Sequence, residues 1–253
     1  MPIFINGKKY RGNVSIVNGR VISGDSCDDL SSQKFDEVRK VPASGVNRII
    51  IESDINVKVS ACNTNDVVAH LYGSAITDNS PQFSVSTFGE EIRISVKSEE
   101  GSMSIICGSS ISIGNINIVG INGLVLDVQI PERDFQRLTI ESKNGNIDVT
   151  NLVDASTITA NSKNGNINID AMFRTLYIDC KNGNIEVTSE AHGDIDLDIT
   201  SKNGNIDVTL ENIGTSKVSV DSKNGNCRNT PRLRGVFTAS GSITSWNGNV
   251  KIR

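Results

Sequence analysis

From Val41 onward, apolar and polar residues alternate. In RIIIESDINVKVS, residues 48–60, Ile49, Ile51, Ile55, Val57 and Val59 share one parity. A period of two is the pattern of a half-buried strand. The same alternation runs through FSVSTFGEEIRISV and ISIGNINIVG. In LVLDVQIPERDF it stops at Pro131, a residue that a strand interior resists. No window of helical length carries an apolar period of 3.6, so the pattern predicts an all-β chain.

Inside the alternation one phrase returns. SKNGNI stands at 142–147, 162–167 and 201–206, with CKNGNI at 180–185, SKNGNC at 222–227 and SWNGNV at 245–250. The glycines Gly145, Gly165, Gly183, Gly204, Gly225 and Gly248 are separated by 20, 18, 21, 21 and 23 residues. A near-constant period of this size marks a repeat architecture. Leu138, Ile140 and Ser142 share a face before the first phrase, and Ile147 and Val149 share one after it; later units repeat these positions. Ser becomes Cys at 180 and Ile becomes Cys at 227, substitutions that a packed interior accepts. The corner residues are Asn144-Gly145, Asn164-Gly165, Asn182-Gly183, Asn203-Gly204, Asn224-Gly225 and Asn247-Gly248. Asn-Gly is also a two-residue hairpin signal, and parity alone does not separate antiparallel hairpins from stacked parallel coils. Equal spacing favours stacking. Asn then lies over Asn about 4.8 Å away and their amides can form a ladder, with Gly supplying a left-handed corner.

Ahead of the repeats, VSIVNGRVIS is two β-type runs around Asn18-Gly19, a hairpin signal. Residues 25–40, DSCDDLSSQKFDEVRK, carry no β-pattern and read as a polar linker with at most a turn of helix. The expected organisation is a hairpin element over 1–24, a linker over 25–40 and a repeat domain over 41–253.

The phrase S-K-N-G-N-I-x-V, with GVNRIIIESDINVKV and LVLDVQIPERDFQRLTIES, resembles the bacterial putative-adhesin domain family, itself related to the head GIN auto-transporter adhesin domains. The resemblance covers roughly Val41 to Arg253. It implies a right-handed parallel β-solenoid, or β-helix, with coils of about 20 residues, and it brings no catalytic set. Many relatives carry export signals or anchors, which this sequence does not show.

Composition narrows the picture. Of 253 residues 37% are hydrophobic but only 4% aromatic, so small and β-branched side chains must fill the core. The net charge of −4, with no block of like charge standing out, argues against a nucleic-acid binder. Cys27, Cys62, Cys107, Cys180 and Cys227 are odd in number and widely spaced, with no metal-type cluster; they read as reduced thiols. MPIFINGKKY has no apolar run of signal-peptide length, and no stretch approaches a membrane span. The expected compartment is the cytoplasm, or the cell surface by an export route the sequence does not reveal.

The chemistry on offer is sparse. Lys143, Lys163, Lys181, Lys202 and Lys223 would form a basic column if coils stack in register. Neighbouring ammonium groups about 4.8 Å apart repel by roughly 0.9 kcal/mol in water, which a polyanion would relieve. Acids flank the column, however: Glu141, Asp179 and Asp221 on one side, Asp148, Glu186 and Asp207 on the other. Such interleaving is usually a self-neutralising surface. Asp194, Asp196 and Asp198 read as an outer strand face, since Ile195, Leu197 and Ile199 point inward. His70 and His192 lie in dissimilar contexts, and no nucleophile elbow, zinc motif or phosphate loop occurs. Trp246 replaces the lysine in the last repeat, where it serves as end cap or as partner anchor. Lys251 and Arg253 would guard the edge there. The expectation is a non-catalytic, adhesin-like scaffold that needs no cofactor or metal and presents charged faces to a protein or anionic glycan. Homo-oligomers could form through the N-terminal element or a solenoid end. The alternatives are a carbohydrate-active β-helix enzyme and a self-assembling structural scaffold.

Overall fold

The computed structural model describes side chains at residues 34–74, 81–97, 123–150 and 154–253, with the backbone of some strands outside those ranges. In chain order the strands begin with β1 (Ile3–Ile5), β2 (Lys8–Tyr10), β3 (Val14–Val17), β4 (Arg20–Ser23), β5 (Ser32–Pro42), β6 (Arg48–Ser53), β7 (Asn56–Cys62) and β8 (Asp66–Ile76). Next come β9 (Gln82–Phe88), β10 (Glu91–Lys97), β11 (Ile111–Ile113), β12 (Ile116–Ile118), β13 (Val125–Pro131), β14 (Phe135–Ser142), β15 (Ile147–Asn164) and β16 (Ile167–Asn182). The last are β17 (Ile185–Glu190), β18 (Ile195–Asn203), β19 (Ile206–Glu211), β20 (Ile213–Asn224), β21 (Cys227–Asn229), β22 (Phe237–Asn247) and β23 (Val250–Ile252). The described residues contain no helix.

Two parallel ladders meet at the Asn-Gly corners. Before the corner the strands pair in the order β10, β6, β14, β15, β16, β18, β22, β20. After the corner the order is β13, β7, β15, β16, β17, β19, β23, β21. Register is kept letter by letter: Ser142 pairs with Ser162, Ser162 with Cys180 and Cys180 with Ser201. One slip of a single residue would turn every isoleucine outward, so the inward parity fixes this alignment. Ile140, Ile158, Leu176, Ile178, Leu197 and Ile199 from one ladder and Ile147, Val149, Ile167, Ile169, Val187 and Val208 from the other fill one continuous core.

Spatial order departs from chain order at both ends. The coil β22–β23 lies between β18–β19 and β20–β21, so the repeat around Gly225 is outermost. At the other end β10 and β13 stack outside β6–β7, although they follow it in sequence. That end is covered by antiparallel strands: β9 on β10, β8 on β13 and β5 on β8.

Three expectations change as a result. Residues 32–40 are not linker but most of β5, which pairs with β8 from Ser32↔Ile76 to Pro42↔Asp66. It lies at a sheet edge and buries only Phe35 among its described side chains, so no alternation was demanded of it. The edge beyond the repeats belongs to β20 and β21 rather than to β23. It is blunted by a register shift between Ile213 and Thr215 and by Lys217, Asp221 and Lys223, as edge strands commonly are. Cys227 sits on β21 and is exposed, not packed, because its coil is the terminal one. Strands β3 and β4 pair antiparallel from Val14↔Ser23 to Val17↔Arg20; Asn18 and Gly19 between them lie outside the described residues.

Candidate functional site

Each corner is built by three letters of the phrase. The asparagine amides form a ladder with one polarity. Asn164 donates to Asn144 at 3.0 Å, Asn182 to Asn164 at 2.8 Å, Asn203 to Asn182 at 2.7 Å, Asn247 to Asn203 at 2.7 Å and Asn224 to Asn247 at 2.8 Å. A second ladder uses the asparagine after glycine. The Asn166 backbone N–H donates to Asn146 Oδ1 at 2.8 Å, and the same contact recurs from coil to coil. In four of the six phrases the small opening residue reaches the glycine carbonyl of the neighbouring coil: Ser162 to Gly145 at 3.4 Å, Ser245 to Gly204 at 3.0 Å, Ser222 to Gly248 at 2.7 Å, and the Cys180 thiol to Gly165 at 3.4 Å.

Glycine is required here for space rather than for a left-handed turn. A Cβ on Gly165 would lie 2.2 Å from the Gly145 carbonyl oxygen, and one on Gly204 1.9 Å from that of Gly183. Neither of these two has a positive φ, whereas Gly183 and Gly248 also take φ values of 156° and 159°, which side chains rarely adopt. The backbones of successive corners touch, and no larger residue fits between them.

This frame sets the lysines. Lys143, Lys163, Lys181 and Lys202 follow one another on adjacent coils and are exposed. None lies within ion-pair distance of a carboxylate among the described residues. Lys223 does not continue the run, because Trp246 stands between it and Lys202. Trp246 is therefore not the end cap. It is 51% exposed, and the Lys223 ammonium rests 3.8 Å from its ring centroid, a cation–π contact.

Beside the lysines runs an open groove of about 570 Å3. Its cations are Lys97, Lys143, Lys163 and Lys181, and its carboxylates are Glu52, Asp54, Glu141 and Asp179. Glu52 is committed to Lys97 at 2.8 Å; that hydrogen bond holds its carboxyl below the ordinary range despite some desolvation. Asp179 accepts from Thr200 at 3.1 Å. Among the described residues, the groove thus holds three lysines without ion pairs beside acids that are partly engaged, and no aromatic residue lines it.

Asp194, Asp196 and Asp198 are exposed, while Ile195, Leu197 and Ile199 are buried. The three carboxylates accept from the inserted coil: Asp194 from the Thr238 N–H, Asp196 from Ser240 and Asp198 from Ser242. Among the described residues no group of His, Cys, Asp or Glu is arranged to hold a metal ion. His70 pairs with Asp36 across β8 and β5 at 2.7 Å. His192 joins Asp134, Asp154 and Arg174 around a cavity of about 100 Å3. Ligand pockets usually begin at about 300 Å3. Burial, and then the nearby Asp134 carboxylate, push the Asp154 carboxyl up; His192 and Arg174 oppose them.

A second concavity, of about 420 Å3, was not foreseen from the sequence. Arg232, Arg234 and Arg253 line it. The signal was present: residues 222–253 hold six lysines and arginines and not one acid. The overall net charge of −4 hid that imbalance.

The Toastrack DUF4097 family model matches residues 46–253, and the chain belongs to that family. No curated protein matches. Similar solved structures include a putative cell adhesion protein from Clostridium sporogenes, 11% identical, at a TM-score of 0.47 over 87% of this chain and 99% of that one. A putative adhesin from Bacteroides fragilis is 12% identical, at a TM-score of 0.39 over 86% and 97%. A putative adhesin from Parabacteroides distasonis is 9% identical, at a TM-score of 0.34 over 86% and 98%. No helix among the described residues is long and apolar enough to cross a membrane.

Proposed function

We propose that the chain is a non-catalytic, adhesin-like binding scaffold, and that it presents the lysine groove to an extended anionic partner, an anionic glycan in the first place. The observation that carries this reading is the in-register run of Lys143, Lys163, Lys181 and Lys202, none with a carboxylate within ion-pair distance among the described residues. Folding holds four ammonium groups in a row at their mutual repulsion, and an anionic chain lying along the groove would relieve it. The stacked corners fix the backbone of the row, so ordering on binding is confined to the lysine side chains. In this reading the coils wind right-handed, and residues 1–24 form a separate attachment element. The expectation of a cytoplasmic location gains no support from the fold, and an adhesin-like role fits the cell surface better.

The test is a change of Lys163, Lys181 and Lys202 to Gln, with binding to a sulfated polysaccharide followed from low to high salt. The unchanged protein should bind at low salt and lose affinity steeply as salt rises, because each neutralised charge releases counterions. The triple variant should bind more weakly with a flatter salt slope. If the unchanged protein does not bind at low salt, the reading is wrong.

A further inference from the structure

The exchange of coil order near the C-terminal end has a local consequence. The chain leaves β19 at Glu211, crosses outward to start β20, and later returns inward between β21 and β22. The two crossing segments meet backbone to backbone. A Cβ on Gly235 would lie 1.9 Å from the Asn212 carbonyl carbon, and one on Gly214 2.4 Å from the Gly235 oxygen. Asn212 takes a φ of 62°, the one left-handed non-glycine residue among those described. Strain of this kind persists where surrounding structure overdetermines it, and it gathers at binding sites.

Beside this crossing lies the cavity of about 420 Å3, floored by Thr209 and Leu210. The returning segment delivers Arg232 and Arg234 to its rim, both exposed and neither in an ion pair among the described residues. Arg253 is the third guanidinium and is held in place by Asp207 at 2.7 Å. Glu211 is the one carboxylate among the described residues of the lining.

We propose that this cavity is an oxyanion-binding site, separate from the lysine groove, and that it takes a small ligand bearing a carboxylate, phosphate or sulfate group. Guanidinium forks match these groups in a bidentate manner, and two forks that make no ion pair among the described residues are free to turn toward one, with Glu211 as the carboxylate that opposes it. The cavity is of ordinary ligand size. The crossing explains why the site exists: an uninterrupted succession of coils would have no returning segment to carry arginines over the end of β19.

The probes are glucuronate, inorganic phosphate and sulfate, titrated at fixed ionic strength against chloride, with melting temperature and calorimetry as readouts. Saturable binding of glucuronate alone would assign a sugar acid. Binding of phosphate or sulfate alone would assign a tetrahedral anion, and binding of both kinds a general oxyanion site. Arg232→Gln with Arg234→Gln should weaken the response about tenfold or more, the scale of losing charge-assisted hydrogen bonds. Glu211→Gln should strengthen it. The lysine triple variant should leave it unchanged, which separates this site from the groove. Because Arg232 and Arg234 are exposed, the double variant should keep its urea midpoint. No saturable response to any probe, or one that survives the double arginine change, overturns the proposal.

Discussion

At the residue scale, the repeated phrase is a corner whose letters each answer one steric or polar demand. Glycine at the fourth position has no substitute, because the preceding corner's carbonyl already occupies the space of a Cβ. Gly165→Ala would put that carbon 2.2 Å from the Gly145 oxygen, at a residue with no positive φ. We expect a loss of about 3 kcal/mol or more, read from urea unfolding, in the range of large single-site effects. The serine position is more lenient, since Cys180 keeps both the small volume and the hydrogen bond to Gly165. Burial, and then the Asp179 carboxylate, push the Cys180 thiol up to about 11. The thiolate is the reactive form, and at pH 8 only about one part in a thousand would be ionised. Alkylation of the folded protein at that pH, read by peptide mass spectrometry, should therefore modify exposed Cys227 and spare Cys180 until denaturant is added. The sequence disclosed the structural role of the phrase at 180, where Cys keeps the small volume of a buried position, whereas the same reading of 227 failed because that cysteine is exposed. It did not disclose why glycine is needed. A left-handed turn and a backbone contact both call for glycine, and only coordinates separate them.

At the element scale, strand positions were legible where a strand has one buried face and illegible where it has none. The alternation of β6, β14, β16 and β18 announced them, whereas β5 hides because Phe35 alone among its described side chains is buried. The connections opposite the Asn-Gly corners were equally silent, since they vary in length and share no phrase. One of them carries a titration that can be measured. Asp134 from the turn before β14 and Asp154 from β15 face one small cavity with His192 and Arg174, and the Asp154 carboxyl is raised above its ordinary 3.8, chiefly by desolvation. A folded-state value above the unfolded one means that the native chain holds this proton more tightly. The group's contribution to stability therefore falls as pH rises from about 3.8 through the raised value, and stays reduced above it. Asp154→Asn should raise the melting temperature at neutral pH, with the gain fading as pH drops below that window. An equal gain at all pH values would point to packing rather than charge.

At the scale of the whole molecule, the period indicated that like phrases stack, but not which phrase lies on which. Near-identical coils offer near-identical ladders, so any corner can sit on any other, and the sequence is degenerate in order. The structure resolves this by inserting the last coil of the chain between two earlier ones. That choice has a consequence for stability that an ordered stack would lack. In a one-dimensional array, stability is close to a sum of unit terms and contacts between neighbours. If coils stacked in chain order, removing residues 237–253 would cost one coil and leave the coil at 213–229 seated on the one before it. Here β20 pairs with β22 and β21 with β23, and neither pairs with any other described strand. Deleting 237–253 should therefore strip the ladder from 213–229 as well. Hydrogen exchange should then show protection ending near Glu211, and the fall in the urea m-value should correspond to two coils of surface rather than one, since m follows the area exposed. Protection persisting through Val218 and Val220 in the shortened chain would mean that this coil can seat directly on β18, and that the inserted order is a preference of the unshortened chain rather than a requirement.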